Sequence, residues 1–186
     1  MEELENIRIK GSWREVADSA RTTIGLDNGD KEPSFSWKKQ ILLAEHSPIR
    51  QLSLKWRWKN IKYWVSVHFT RHWLGILHFV QTSRTDRTGV DRDSLLQNNL
   101  VIHECEANAQ ALINISRKRL CSKASKETRE AWRLVLKKLE EIDKPLFSVC
   151  VPECIYRGFC PEFKSCGFYK TEVYKKELKK YREKHE

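Results

Sequence analysis

The segment Leu52–Trp58 (LSLKWRW) constrains the fold most tightly, because Leu52, Leu54, Trp56 and Trp58 alternate strictly with Ser53, Lys55 and Arg57. Successive side chains leave opposite faces of a strand, so this pattern predicts a strand with one buried face that carries both tryptophans. Ile7 and Ile9, closed by Gly11, predict a short first strand, and Ile76–Val80 is a short β-leaning run. The remaining apolar periodicity is helical. Ser12 caps a helix that starts at Trp13, with Glu15 in its first turn. Phe35–Ala44 places Trp37, Ile41 and Ala44 on one face, and Ile61–Trp73 reads as a helix ended by Gly75. His103–Leu120 contains no Gly or Pro and predicts another. The strongest helix is Ala124–Ile142, with the stripe Trp132, Val135, Leu136, Leu139 and Ile142, a cap at Ser122 or Ser125, and Pro145 beyond its end. Residues 25–34 and 83–93 are loops by composition, and Asn60 and Lys62 mark a turn. Few strands, several helices and no regular alternation of the two give an α+β fold.

The chain carries 35 Lys and Arg against 25 Asp and Glu, a formal net charge of +10. The tail from Tyr169 to Glu186 holds seven Lys or Arg and four Glu, which leaves +7 in the body. A field of that sign favours anionic partners such as nucleotides, nucleic acid or phosphorylated cofactors. No apolar run is long enough to span a bilayer and the N-terminus lacks a signal-peptide core, so a cytoplasmic protein without a membrane association is expected.

Two stretches could carry chemistry. Glu45–Arg84 gathers His46-Ser47-Pro48, then His68, Arg71 and His72, then Ser83 and Arg84 at the ends of predicted elements. Hydroxyls, imidazoles and guanidiniums placed in this way suit a phosphate-bearing ligand; the alternative is a surface of dispersed basic residues. In the second stretch Asn108 and Arg119 are eleven residues apart, about three helical turns, and share a face from which Asn114 is excluded. A ligand site shared between subunits could use all three. The alternative is that Arg117, Lys118 and Arg119 complement the helix dipole.

These segments resemble the flavin-dependent thymidylate synthases. That family carries an Ala-Arg-x-Ser segment and a His-x-Ser-Pro-x-Glu-His segment, then the signature RHRxxSxNExSxRY, then NARSLxxFxxLR and a helix with AxxEIR. The present chain has Ala20-Arg21-Thr22-Thr23, His46-Ser47-Pro48, Arg71-His72-Trp73, Asn108-Ala109-Gln110-Ala111-Leu112, Asn114, Arg119 and Ala124–Arg129 in the same order. Trp73, His78 and Phe79 replace signature residues, Gln110 replaces the Arg of the second motif, and the loop between Arg84 and Arg92 is shortened. The resemblance implies a small antiparallel or mixed sheet with packed helices, homotetramers, and reductive methylation of dUMP or a related nucleotide. FAD would be the cofactor, with NADPH and methylenetetrahydrofolate as co-substrates. By this resemblance Ser47, Arg71, His72, Asn108 and Asn114 would contact the flavin, at a site that also holds Trp73, His78, Phe79 and Gln110. His68, Arg71, Ser83, Arg84, Arg92 and Arg119 would surround the nucleotide, with Arg119 polarising the pyrimidine. A flavin-binding relative with another nucleotide substrate or without synthase activity stays open, as does a basic nucleic-acid-binding module.

Cys150, Cys154, Cys160 and Cys166 lie outside the resemblance. Four thiols within seventeen residues of a cytosolic chain suit one tetrahedral zinc, the metal expected here, with an iron–sulfur cluster open on the same ligands; the x3, x5, x5 spacing lacks a paired Cys-x2-Cys, and four reduced thiols are the alternative. Cys105 and Cys121 read as packing residues. Three units follow: a synthase-like domain over residues 1–147, a Cys-rich segment over 148–168 and a basic tail over 169–186.

Overall fold

The structure is a computed structural model that describes residues 3–183. Four strands, β1 (Glu3–Lys10), β2 (Ser53–Lys62), β3 (Ile76–Val80) and β4 (Leu100–Asn108), form one antiparallel sheet in the order β1-β2-β4-β3. The helices are α1 (Trp13–Thr22), α2 (Phe35–Leu43), α3 (Tyr63–Thr70), the single turn α4 (Thr85–Thr88), α5 (Ala109–Arg119), α6 (Lys126–Ile142), α7 (Lys144–Val149), α8 (Glu153–Arg157) and α9 (Glu172–Arg182). Ser12, Ser34, Asn108, Ser125, Asp143 and Thr171 cap α1, α2, α5, α6, α7 and α9 with side-chain oxygens that accept from first-turn backbone N–H groups. No described helix is long and apolar enough to cross a membrane.

The alternation in β2 does what it predicts: Leu52, Leu54, Trp56 and Trp58 are all fully buried. α6 covers them with Trp132. Its ring meets Trp56 at 5.8 Å and Phe69 of α3 at 6.0 Å, and Phe69 lies 4.5 Å from Trp58. Each new polar atom needs a partner here. Trp58 Nε1 donates to the Ala131 carbonyl and Trp132 Nε1 to the Ser116 hydroxyl.

Four sequence readings are corrected. Asn60 does not end the strand. It takes φ 58° in a bulge, which resets the alternation by one residue so that Ile61 points inward and β2 continues to Lys62. The helix predicted from Ile61 therefore begins at Tyr63 and ends at Thr70, leaving His72 and Trp73 in a turn. Asn6, with φ 54°, gives β1 a similar bulge, and that strand starts earlier than predicted. The helix expected over His103–Leu120 is split: residues up to Asn108 are β4, and only Ala109–Arg119 is helical. Val101, His103, Cys105 and Ala107 are the buried face of β4, a period of two hidden by a histidine and a cysteine in apolar positions.

One core runs through all three expected units. It includes the sheet, Ile155 and Val149 around the Cys-rich segment, and Tyr174 and Tyr181 of the basic tail. The Lys39 ammonium, itself buried, donates to the Lys180 and Glu183 carbonyls and so ties α2 to the end of α9. Trp132→Ala removes the ring that joins helix and sheet and should lower unfolding free energy by about 3–5 kcal/mol, read from urea denaturation.

A candidate anion site of neutral histidines and arginine

The strongest convergence of polar side chains lies where α3, β3, β4 and the last residue of α5 meet. His103 points inward from β4, and His78 comes from the neighbouring strand at the register position opposite Cys105. The carbonyl of His72 can only accept, so His78 Nε2 carries the proton that bridges the 2.7 Å between them. His78 Nδ1 is then a bare acceptor and takes a hydrogen bond from His103 Nε2 at 3.0 Å. His103 Nδ1 accepts in turn from the Ser66 hydroxyl at 3.0 Å. The chain Ser66→His103→His78→His72 thus has a single direction, and every ring nitrogen of His78 and His103 is used. Cys105 Sγ lies against it, 3.2 Å from His103 Nε2 and 3.4 Å from His78 Nδ1. These three ligand atoms fall within 4.8 Å of one another, a spacing that suits a metal ion, but the hydrogen bonds are complete without one.

Arg119 closes the chain at its outer end. Its Nε donates to His72 Nε2 at 2.9 Å and its Nη2 to the His68 carbonyl at 2.5 Å. His68 Nδ1 is 2.8 Å from the hydroxyl of Thr128, in the first turn of α6. Burial, then the neighbouring His78, pushes the His103 pKa down to about 3. Burial, followed by Arg119, His78 and Lys118, takes His72 down to about 4. His68 is lowered by burial and then by Arg119 and Arg71. All three imidazoles are therefore neutral at pH 7. Arg119 is lowered by burial and by Arg71, yet a guanidinium stays charged. Among the described residues neither Arg71 nor Arg119 makes an ion pair. Two guanidiniums that repel each other beside neutral rings form a site for an anion or a polarised carbonyl.

The other predicted site residues divide into separate groups. Asn108 Oδ1 is committed to the Ala111 N–H, and its own N–H donates to the Gly75 carbonyl. Gly75 has φ 74°, and a Cβ there would lie 2.6 Å from the Asn108 carboxamide, so glycine is required at this contact. Gln110 and Asn114 lie on another face of α5. Gln110 donates to Glu45, Arg117 donates to both Glu45 and Asn114, and the Arg117 guanidinium stacks 3.4 Å from the Tyr156 ring centroid. Ser47, exposed, opens the 3-10 turn two residues after Glu45. Arg84 forms a two-pronged pair with Asp86, and Arg92 faces Asp93, both within the exposed segment that also holds Ser83. Arg71, Trp73 and Phe79 are exposed. Sequence reasoning missed Ser66, His103, Cys105, Thr128, Glu45 and Arg117. The alternation of β4 was the available signal for His103 and Cys105; the others are visible only in three dimensions.

No protein-family model matches the chain, and no curated protein matches it by sequence. Its structure, however, superimposes on a UMP/dUMP methylase, PolB from Streptomyces cacaoi bound with 5-bromo-dUMP, with a TM-score of 0.66 at 11% identity over 86% of this chain and 96% of that one. The fold is that of the flavin-dependent thymidylate synthases. Two structures of the Helicobacter pylori enzyme ThyX with FAD and dUMP give TM-scores of 0.64 and 0.65 at 13% and 12% identity, each over 81% of this chain and 99% of that one. The antiparallel sheet and packed helices expected from the sequence resemblance are therefore present.

The depressed histidines make stability depend on acid. A group whose pKa is lower folded than unfolded stabilises the fold above its unfolded pKa of about 6.5 and loses that contribution as pH falls toward the folded value. For the buried His103 this amounts to about 3 kcal/mol between pH 6.5 and pH 4, at about 1.4 kcal/mol per pH unit. Urea denaturation at pH 7, 5.5 and 4 should show that loss, and His103→Gln, less stable at pH 7, should show a shallower decline.

Proposed function

We propose that the protein is a flavin-dependent enzyme that methylates the pyrimidine ring of a uridine nucleotide, dUMP or a close relative, with methylenetetrahydrofolate as one-carbon donor and NADPH as reductant. The observation that carries this reading is Arg119: a half-buried guanidinium without an ion pair among the described residues, aimed by His72 and the His68 carbonyl, in a fold whose neighbours hold dUMP and FAD. A flavin, when bound, supplies the hydride. The chain's own residues bind and orient. Arg119 would donate to a pyrimidine carbonyl oxygen and stabilise the negative charge that develops on the ring as C5 becomes nucleophilic. His72, held neutral, keeps Arg119 in place without competing for that charge. Arg71, exposed beside it, would take a phosphate of nucleotide or flavin.

Ser47, Gln110 and Asn114 stand apart from Arg119, so their proposed flavin contacts require a site completed by a second copy. The exposed apolar surface of Trp73, Leu74, Leu77 and Phe79 supports self-association, which we assign as a homotetramer. Trp56, Trp58 and Trp132 are in the core, which takes three of the seven tryptophans away from any role as stacking platforms for single-stranded nucleic acid.

Two measurements test the proposal. The purified protein should bind flavin, seen by its absorbance, and should titrate with dUMP. Arg119→Lys keeps the charge but loses the planar fork; it should weaken dUMP binding by about 1.5–3 kcal/mol with a nearly unchanged melting temperature. A protein that binds neither added flavin nor dUMP overturns the reading. Light scattering should give four chains per particle at micromolar concentration, and a monomer would exclude the shared site.

A further inference from the structure

Two residues beyond Arg119 the chain enters a groove of about 1180 Å³ whose lining includes Cys121, Cys150, Cys154, Cys160 and Cys166. The five thiols are not equivalent. Cys150 is buried in the core, hydrogen-bonded to Ser116, with Asp143 and Tyr181 as its charged or ionisable neighbours. The other four form one group. Cys121, Cys154 and Cys160 are half-buried and Cys166 is exposed, and all four line the same groove. Thus Cys121, contributed by the turn after α5, takes the place that the sequence spacing assigned to Cys150.

The segment that carries Cys160 and Cys166 needs something to hold it. Residues 158–167 form neither helix nor strand, none of them is buried, and Phe163 is fully exposed. Ordering a residue costs roughly 1–2 kcal/mol of backbone entropy, and so few contacts do not offset that over ten residues. A metal centre bonded to thiolates from three separate stretches of chain would.

The spacing indicates what kind of centre fits. A single zinc, with bonds of about 2.3 Å, draws four sulfurs to about 3.8 Å from one another. Among the described residues only His78, His103 and Cys105 bring three ligand atoms within 4.8 Å, so the four thiols stand wider than one ion requires. Five-residue spacers on both sides of Cys160, with no Cys-x2-Cys pair, agree with that width. A four-iron cluster bonds each thiolate to a different iron and spans such a gap.

We propose that Cys121, Cys154, Cys160 and Cys166 are the four ligands of a [4Fe–4S] cluster. Insertion exchanges four thiol protons for four iron–sulfur bonds, and a 2+ core with four thiolates carries a charge of −2. Lys123 lines the same groove and offers a positive charge against it. The inference does not depend on the flavin reading.

The test is anaerobic purification of the full chain, with iron, zinc and acid-labile sulfide assayed per chain and flavin measured separately after extraction. About four iron and four sulfide are expected, with a visible band that dithionite bleaches and that persists in protein stripped of flavin. Cys121→Ser and Cys160→Ser should each lose most of the iron, while Cys150→Ala retains it; circular dichroism confirms that each variant is folded. Should Cys150→Ala fail to fold, Cys150→Ser, which puts a hydroxyl in place of the thiol, replaces it. One zinc per chain, no metal after reconstitution with iron and sulfide, or full iron in Cys121→Ser would each overturn the proposal.

Discussion

Trp132 interlocks with Trp56 and, through Phe69, with Trp58, and this aromatic contact sets the distance between α6 and the sheet. Much else is referred to it. The same helix supplies Thr128 to His68 and a backbone carbonyl to Trp58, and Trp132 fixes Ser116 in the middle of α5. Large rings with one polar atom each combine area with direction: burial holds the layers together, and the indole N–H groups choose the register. Trp56 Nε1 is the exception, buried without a hydrogen-bond partner among the described residues.

On this frame α5 serves two surfaces. Its cap at Asn108 locks against Gly75, which fixes the turn that holds His72; its last residue, Arg119, reaches back to the same turn. Its opposite side meets Glu45 through Gln110 and Arg117. One helix therefore transmits the position of β3 to Arg119 and, independently, the position of the 3-10 turn to Arg117. Substitutions at Gln110 and at Asn108 should not behave alike, although the two are neighbours in sequence.

How much of this was legible depended on whether a residue's type agreed with its burial. β2 was readable because Leu and Trp sit where the pattern wants apolar side chains. β4 was not, because His103 and Cys105 occupy two of its four inward positions, and their polarity is neutralised only by the partners they meet across the sheet. Asn60 was read as a turn for a sound local reason, since a left-handed Asn commonly ends a strand; the pairing with β4 instead absorbs it as a bulge. Arg119 was singled out through its distance from Asn108, and that distance spans one helix although Asn108 is its cap rather than a helical residue. Arg84 and Arg92 were drawn toward the nucleotide by order along the chain alone, and the structure pairs them with nearby acids. Cys121 was set aside because it lies far from the other cysteines in sequence, a separation that the approach of α8 to the end of α5 cancels.

The neutrality of His72 has a thermodynamic corollary. Its proton affinity is low because burial and the nearby Arg119 and Lys118 oppose a further positive charge. The nitrogen that would take the proton is Nε2, which accepts from Arg119 Nε, so a proton there displaces the guanidinium that an anion would meet. A ligand that relies on Arg119 in this position would keep its grip across the neutral range and lose it only in strong acid, toward about pH 4, where His72 itself charges.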